Sequence, residues 1–307
     1  MPRMYSAYEF RRRAREAMLP VMSVLVLVML IAMAPGLISN TLTMITGADP
    51  AALLTDLWTQ ERVGALFGAD EAAALAAQEE FTAAVTTFLA AKWPILLLTA
   101  AVTLILGPVL TLGLNHTLLK ALRREEFAVG TVFARLPVFF KAIRLTLMTD
   151  LRILLWSLPG TAVMLLGSLA MLWVPTLGML LFLGGMVLTT VHSIQAAYRY
   201  RMAVFVMADA PETGINAALR RSCEVMNGRK LELFHLEFSF LGWRLLLSMA
   251  QTLLMGMLGA VIGMTVTLLA SFFLQMYVSM AFAAFYQEYA VGPLPEAEQT
   301  PDQEILL

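Results

Sequence analysis

The stretch ILLWSLPGTAVMLLGSLAMLWVPTLGMLLFLGGMVLTTVHSIQAAY, residues 153–198, holds no Asp, Glu, Lys or Arg. A helix needs about 20 apolar residues to cross a hydrocarbon core of roughly 30 Å. This stretch is long enough for two passes, and Val174-Pro175-Thr176 divides it. Proline stops a helix there and permits a tight hairpin. Further uncharged runs lie at 17–39, 93–119 and 245–287. Over the 307 residues, 59% are hydrophobic and only 14% charged, against roughly 45–50% and about 25% in soluble domains. No soluble core could hide that much apolar surface, so the chain reads as a membrane protein.

Six spans fit the pattern: 19–39, 93–119, 149–173, 177–198, 236–257 and 263–286. Gly256, Gly259 and Gly263 mark the turn between the last two, with one long bent helix as the alternative over 245–287. The first run follows a basic leader and contains Ala32-Met33-Ala34, which resembles a signal-peptide cleavage site. The uncharged stretch continues past it, and Pro35 would follow the cut, so retention as a transmembrane helix is expected.

Net charge, at −1, conceals a strong asymmetry. Nineteen of the 21 Lys and Arg residues lie in the N-terminal segment, in 120–152 or in 199–244. The loop 40–92 has only Arg62 and Lys92, but carries Asp49, Asp56, Glu61, Asp70, Glu71, Glu79 and Glu80. Lys and Arg mark the cytoplasmic side of a membrane protein, and six spans put every basic segment on one face with both termini cytoplasmic.

The expected organisation is therefore all-α, a polytopic membrane helix bundle with a short cytoplasmic interfacial amphipathic helix. A basic segment at 1–18 precedes one transmembrane domain at 19–290, and an acidic disordered tail follows at 291–307. The domain includes an external loop, 40–92, and a cytoplasmic amphipathic segment, 199–230. In the loop, the Ala-rich run from Ala69 to Trp93 reads as a helix, either an external cap or a continuation of the second span. The single Cys223 rules out an internal disulfide or a cysteine-cluster metal site.

The most particular polar stretch is RRSCEVMNGRKLELFHLEFSFLGWR, residues 220–244. Upstream, Asp209-Ala-Pro-Glu212 resembles a capped helix start. Ile215, Leu219, Cys223 and Met226 then share one helical face. Asn227-Gly228 supplies a left-handed stop. The helix is expected on the inner surface, its stripe in lipid or against the bundle, with Arg220, Arg221, Arg229 and Lys230 as candidate contacts to lipid head groups.

Beyond it, Glu232, His235, Ser239 and Gly242 fall on one arc of a continuous helix, while Glu237 and Arg244 share another face. With Asp150, Arg152 and His116 they form a candidate polar collar near the cytoplasmic ends of the spans. Charged groups there face protein, water or the interface rather than acyl chains. The collar is either an interfacial belt, with Glu237 and Arg244 neutralising each other or partners on other helices, or a vestibule opening inward.

A resemblance runs through the same stretch. Ala217, Arg221-Ser222, Met226-Asn227-Gly228-Arg229-Lys230, Leu233-Phe234 and Ser239-Phe240-Leu241-Gly242-Trp243 look like the signature of DUF975, a family of uncharacterised bacterial membrane proteins. Glu9-Phe10-Arg11, Leu122-Arg123-Arg124-Glu125, Tyr198-Arg199-Tyr200-Arg201-Met202 and Ala283-Ala284-Phe285-Tyr286 are similar too. The chain departs from that pattern in its long apolar run before Tyr198, in Gln275-Met276 before Tyr277, and in its long outer loop. The resemblance implies a bacterial inner-membrane protein and no particular activity.

No Gly-x-Ser-x-Gly elbow, His-Glu-x-x-His pair or phosphate-binding Gly-Lys-Ser/Thr loop occurs. No catalytic, cofactor or metal residues are therefore proposed from sequence, and nucleic acid is not an expected partner. The expected role is a non-enzymatic scaffold or accessory protein whose basic face engages anionic lipids of the bilayer or a membrane partner protein. The alternative is a transporter of small solutes or lipids with a polar cytoplasmic vestibule.

Overall fold

The structure, a computed structural model, describes residues 7–57, 59, 64, 71–171 and 173–293. It is an all-α helix bundle, with no strand among the described residues. Helix α1 (Ala7–Met18) buries Phe10, Ala14 and Met18, a four-residue repeat on one face. A 3₁₀ turn at Leu19–Val21 carries Pro20 and leads into α2 (Met22–Thr46). Then follow α3 (Pro50–Leu57), α4 (Glu71–Leu122), α5 (Phe139–Ala170) and α6 (Pro175–Tyr200). The short α7 (Ala203–Asp209), α8 (Ile215–Val225) and α9 (Lys230–Phe238) precede the last pair, α10 (Leu241–Leu258) and α11 (Ala260–Tyr286).

Among the described residues, six helical stretches are long and apolar enough to cross a membrane: Ala7–Thr46, Ala72–Leu122, Val129–Ala170, Pro175–Asp209, Lys230–Leu258 and Ile262–Val291. Five of them contain an expected span whole, the third ends at Ala170 inside the expected 149–173, and the chain is a multi-pass membrane protein. The Ala-rich run continues the second span, since α4 is a single helix of 52 residues. Asp70, Glu61 and Arg62, named above, lie outside the described residues.

Two compact units are present, one being Ala32–Pro108 and the other the described residues on either side of it. Within the first, the Ser39 hydroxyl lies 3.0 Å from that of Thr103, and Lys92 donates to the Thr46 carbonyl at 2.6 Å. A lysine there satisfies the negative end of α2.

The second unit holds two hairpins. Pro175 opens α6 at its first turn, as expected. A β-carbon on Gly160 would lie 2.3 Å from the Thr189 nitrogen, on Gly167 2.4 Å from that of Phe182, and on Gly178 2.3 Å from that of Met171. Steps forward along α5 match equal steps backward along α6, so the helices are antiparallel with their backbones nearly touching. Small residues permit this, and between apolar helices close packing is the main attraction. Gly160 and Gly185 are packing residues, and the helices run unbroken through Pro159-Gly160 and Gly184-Gly185. Gly259, at φ 84°, makes the turn from α10 to α11, and Gly263 then packs against the Met255 backbone. Two helices, not one bent helix, fill 245–287.

Fully buried large side chains gather at one end of this unit: Phe10, Met202, Met207, Leu219, Met226, Phe240 and Phe285. Along the spans the outward faces are apolar and exposed, as at Leu166, Leu180 and Leu253, each about 60–70% accessible. No residue of α10 is buried. Such a surface suits acyl chains.

Two local readings need correction. The chain breaks at Ser239-Phe240, between α9 and α10, instead of running helical through 236–257. The reason is tertiary, since Phe240 is fully buried and packs edge-on against Tyr277 at 5.2 Å. Asp209 does not cap a helix start. It ends α7, and α8 begins at Ile215 after Gly214 with no side-chain cap.

Candidate functional site

The polar groups of the second unit form a cross-linked network around the buried end. Its centre follows from how α4 terminates. Arg124 adopts φ 57°, and the Glu125 N–H donates to the Lys120 carbonyl at 2.9 Å, a left-handed helix stop. This places the Arg123 guanidinium against Asp209 in a two-pronged pair, at 2.7 and 2.9 Å. Its Nε donates to Gln287 Oε1 at 2.8 Å. Tyr286, stacked on Phe205 at 5.6 Å, adds its hydroxyl to Asp209 at 3.4 Å. The hydrogen bonds to Asp209 hold the Arg123 guanidinium above its ordinary pKa.

Two more cations close on the same loop. Arg135 donates to the Ala208 carbonyl at 3.0 and 2.7 Å and touches His116 Nδ1 at 3.0 Å. Lys141 donates to the Pro211 carbonyl at 3.0 Å. Carbonyls in the last turn of α7 and just beyond it thus receive cationic donors, the usual remedy for unsatisfied helix ends.

A second cluster ties down the C-terminal turn, a π-helical segment at Gln287–Val291. Arg13 pairs with Glu288 at 2.6 Å. The Tyr289 hydroxyl donates to Glu232, and Arg229 sits 4.4 Å over the Tyr289 ring. Phe10, Phe285 and Tyr289 pack together, with centroids 4.7–5.9 Å apart.

The collar residues separate by role. Glu237 accepts from Tyr198 at 2.5 Å and has Arg201 at 4.0 Å. Arg244, expected as a partner for Glu237, belongs to another helix because of the break at Ser239-Phe240. Ser239 donates its hydroxyl to the Leu236 carbonyl, and its N–H bonds back to the His235 carbonyl at 3.0 Å. His235 is exposed beside Phe234. Arg152 reaches Asn216 at 3.0 Å and lies over Tyr200. Asp150 is exposed with no hydrogen bond or ion pair among the described residues.

On α8 the stripe is Ala218, Leu219, Ser222 and Val225, all buried against protein. Ser222 accepts from the Met202 N–H and donates to the Arg199 carbonyl. Cys223 accepts from Arg199 Nε at 3.2 Å. Of the candidate head-group cations, Arg220 and Arg221 share Glu224 at 3.8 and 3.4 Å, and Arg221 also donates to the Ala290 carbonyl. Arg229 is held as above, and Lys230 is half-buried with no partner among the described residues.

Sequence reading missed the hub itself. Arg123 and Asp209 are 86 positions apart, and no periodicity connects such residues. The usable signal was that Leu122-Arg123 and Phe285-Tyr286 both belong to the quoted resemblance. Among the described residues, no three His, Cys, Asp or Glu side chains gather closely enough to hold a metal ion.

A second feature lies between α10 and α11. Arg244, Ser248, Gln251, Thr267, Ser271 and Gln275 surround a cavity of about 220 Å³. These polar groups extend well into the hairpin.

No curated protein and no solved structure matches the chain. The model of one family, described as "Protein of unknown function (DUF975)", matches residues 4–290. With that match spanning both hairpins and every member of the polar network, this multi-pass membrane protein belongs to the DUF975 family.

Proposed function

We propose that this protein is a non-enzymatic scaffold or accessory component of a bacterial inner membrane. In this reading both termini are cytoplasmic, and the basic end engages anionic lipids or a membrane partner. The supporting observation is how the polar residues are used. Arg13, Arg123, Arg135, Lys141 and Arg229 are all bound to acceptors or rings of the same chain. These contacts fasten helix ends together and leave the hub's side chains little freedom for turnover or passage. The transporter reading draws on one feature, the polar seam from Arg244 to Gln251 facing Thr267 to Gln275, since polar groups inside spans often mark solute pathways.

Reconstitution tests the choice. Proteoliposomes should release ions and small organic solutes no faster than protein-free vesicles. Crosslinking in native membranes should give discrete adducts to lipid or protein from the basic end. Solute flux that disappears in Arg244→Gln or Gln251→Leu would overturn the scaffold in favour of transport.

A further inference from the structure

The cleft bounded by α1, α10 and α11 encloses about 700 Å³, within the usual span of ligand sites, roughly 300–1,000 Å³. Its walls differ in chemistry. On α1, Arg11, Arg12 and Arg15 fall at helical spacing along one side of the cleft. The facing helices contribute Trp243 from α10 and Phe273 and Leu274 from α11. Tyr277 joins the two walls by donating its hydroxyl to the Arg11 carbonyl at 3.1 Å.

Helix α1 divides its cations. Arg13 turns inward to Glu288, whereas Arg11 buries its Nε with no hydrogen-bond partner among the described residues. A buried donor lacking an acceptor is costly, and Arg11 lines the cleft with that cost unrelieved. Glu16 lies 3.7 Å from Arg12, but both side chains are about half exposed, too well solvated to neutralise the wall.

We propose that the cleft seats one acidic phospholipid of the surrounding bilayer, its phosphate on Arg11, Arg12 and Arg15 and its acyl chains along Trp243, Phe273 and Leu274. A free anion would leave the apolar wall uncovered, and a neutral lipid would leave the arginines without a counter-charge. Trp243 lines the cleft, and tryptophan is the side chain enriched where acyl chains meet head groups. The inference rests on the scaffold reading and names the lipid it engages.

Tryptophan quenching tests it. The protein is reconstituted into phosphatidylcholine vesicles containing a minor fraction of chain-brominated phosphatidylglycerol, or the same fraction of chain-brominated phosphatidylcholine. The acidic lipid should quench more strongly, and the excess should vanish in Trp243→Phe. In R11Q/R12Q/R15Q the half-saturating lipid fraction should rise about tenfold, since each cation near an anionic head group contributes appreciably. R11K/R12K/R15K should keep most of the excess, and the exposed Arg15→Gln alone should shift it in the same direction as the triple variant. Arg144→Gln, at an exposed cation outside the cleft lining, should leave it unchanged. Equal quenching by the two brominated lipids, or an excess that survives R11Q/R12Q/R15Q, overturns the proposal. So does its abolition by millimolar inorganic phosphate, which would make the ligand a soluble anion. Failure here leaves the scaffold reading to a protein partner, whereas solute flux in the reconstitution assay removes that reading whatever the quenching gives.

Discussion

At the scale of single residues, Arg123 and Asp209 illustrate how this protein uses charge. The pair is two-pronged, with both side chains 23% exposed, and Gln287 and Tyr286 fill the remaining directions. Charge-assisted bonds in such a setting are stronger than neutral ones, and removing one partner strands the other. Asp209→Asn and Arg123→Gln should each lower thermal stability in detergent, by about 1.5–3 kcal/mol. The double variant should lose less than the sum of the singles, because the two side chains act as one unit. Strict additivity in that cycle would mean the contact does not hold the hub together. None of this was legible locally. Asp209-Ala-Pro-Glu212 has the composition of a helix start, and only the fold brings α4 beside it.

Among elements, the two hairpins were the most legible features and the α9–α10 break the least. Val174-Pro175-Thr176 and Gly259 announce turns through backbone chemistry, a missing N–H in one case and a positive φ in the other. Nothing in Leu236–Trp243 does so, because that break exists to bury Phe240 beneath Tyr277. The α5–α6 hairpin offers a sharp contrast between neighbours. A β-carbon on Gly185 would meet the Met164 nitrogen at 2.4 Å, while one on Gly184 meets nothing within 4 Å. Gly185→Leu should force the helices apart and destabilise by about 1–3 kcal/mol or more. Gly184→Leu should change the melting temperature little. Similar melting curves for the two would show that the helices do not pack through these glycines.

For the whole molecule, the placement of apolar runs made the six spans readable, since bilayer thickness sets their length whatever the packing. The spans then leave most of their outer surface apolar and exposed, while the fully buried large side chains concentrate at the polar end of the second unit. That division describes a second unit fastened at its cross-linked end, with its outward helix faces left to lipid or to other chains. The candidate collar was readable as a set of polar groups near span ends, but its pairings were not. They depend on contacts between different elements, such as His116 with Arg135, 19 positions apart, and Arg152 with Asn216, 64 apart.

Orientation is the claim on which the lipid cleft and the scaffold role both depend, and cysteine labelling measures it directly. In a Cys223→Ser background, Gln78→Cys and Arg220→Cys each place one thiol at an exposed position. Spheroplasts of a bacterial host treated with a membrane-impermeant maleimide should label Q78C at once and R220C only after permeabilisation. Labelling of R220C in sealed spheroplasts, with Q78C protected until they are opened, would contradict the six-span arrangement with its basic end inside.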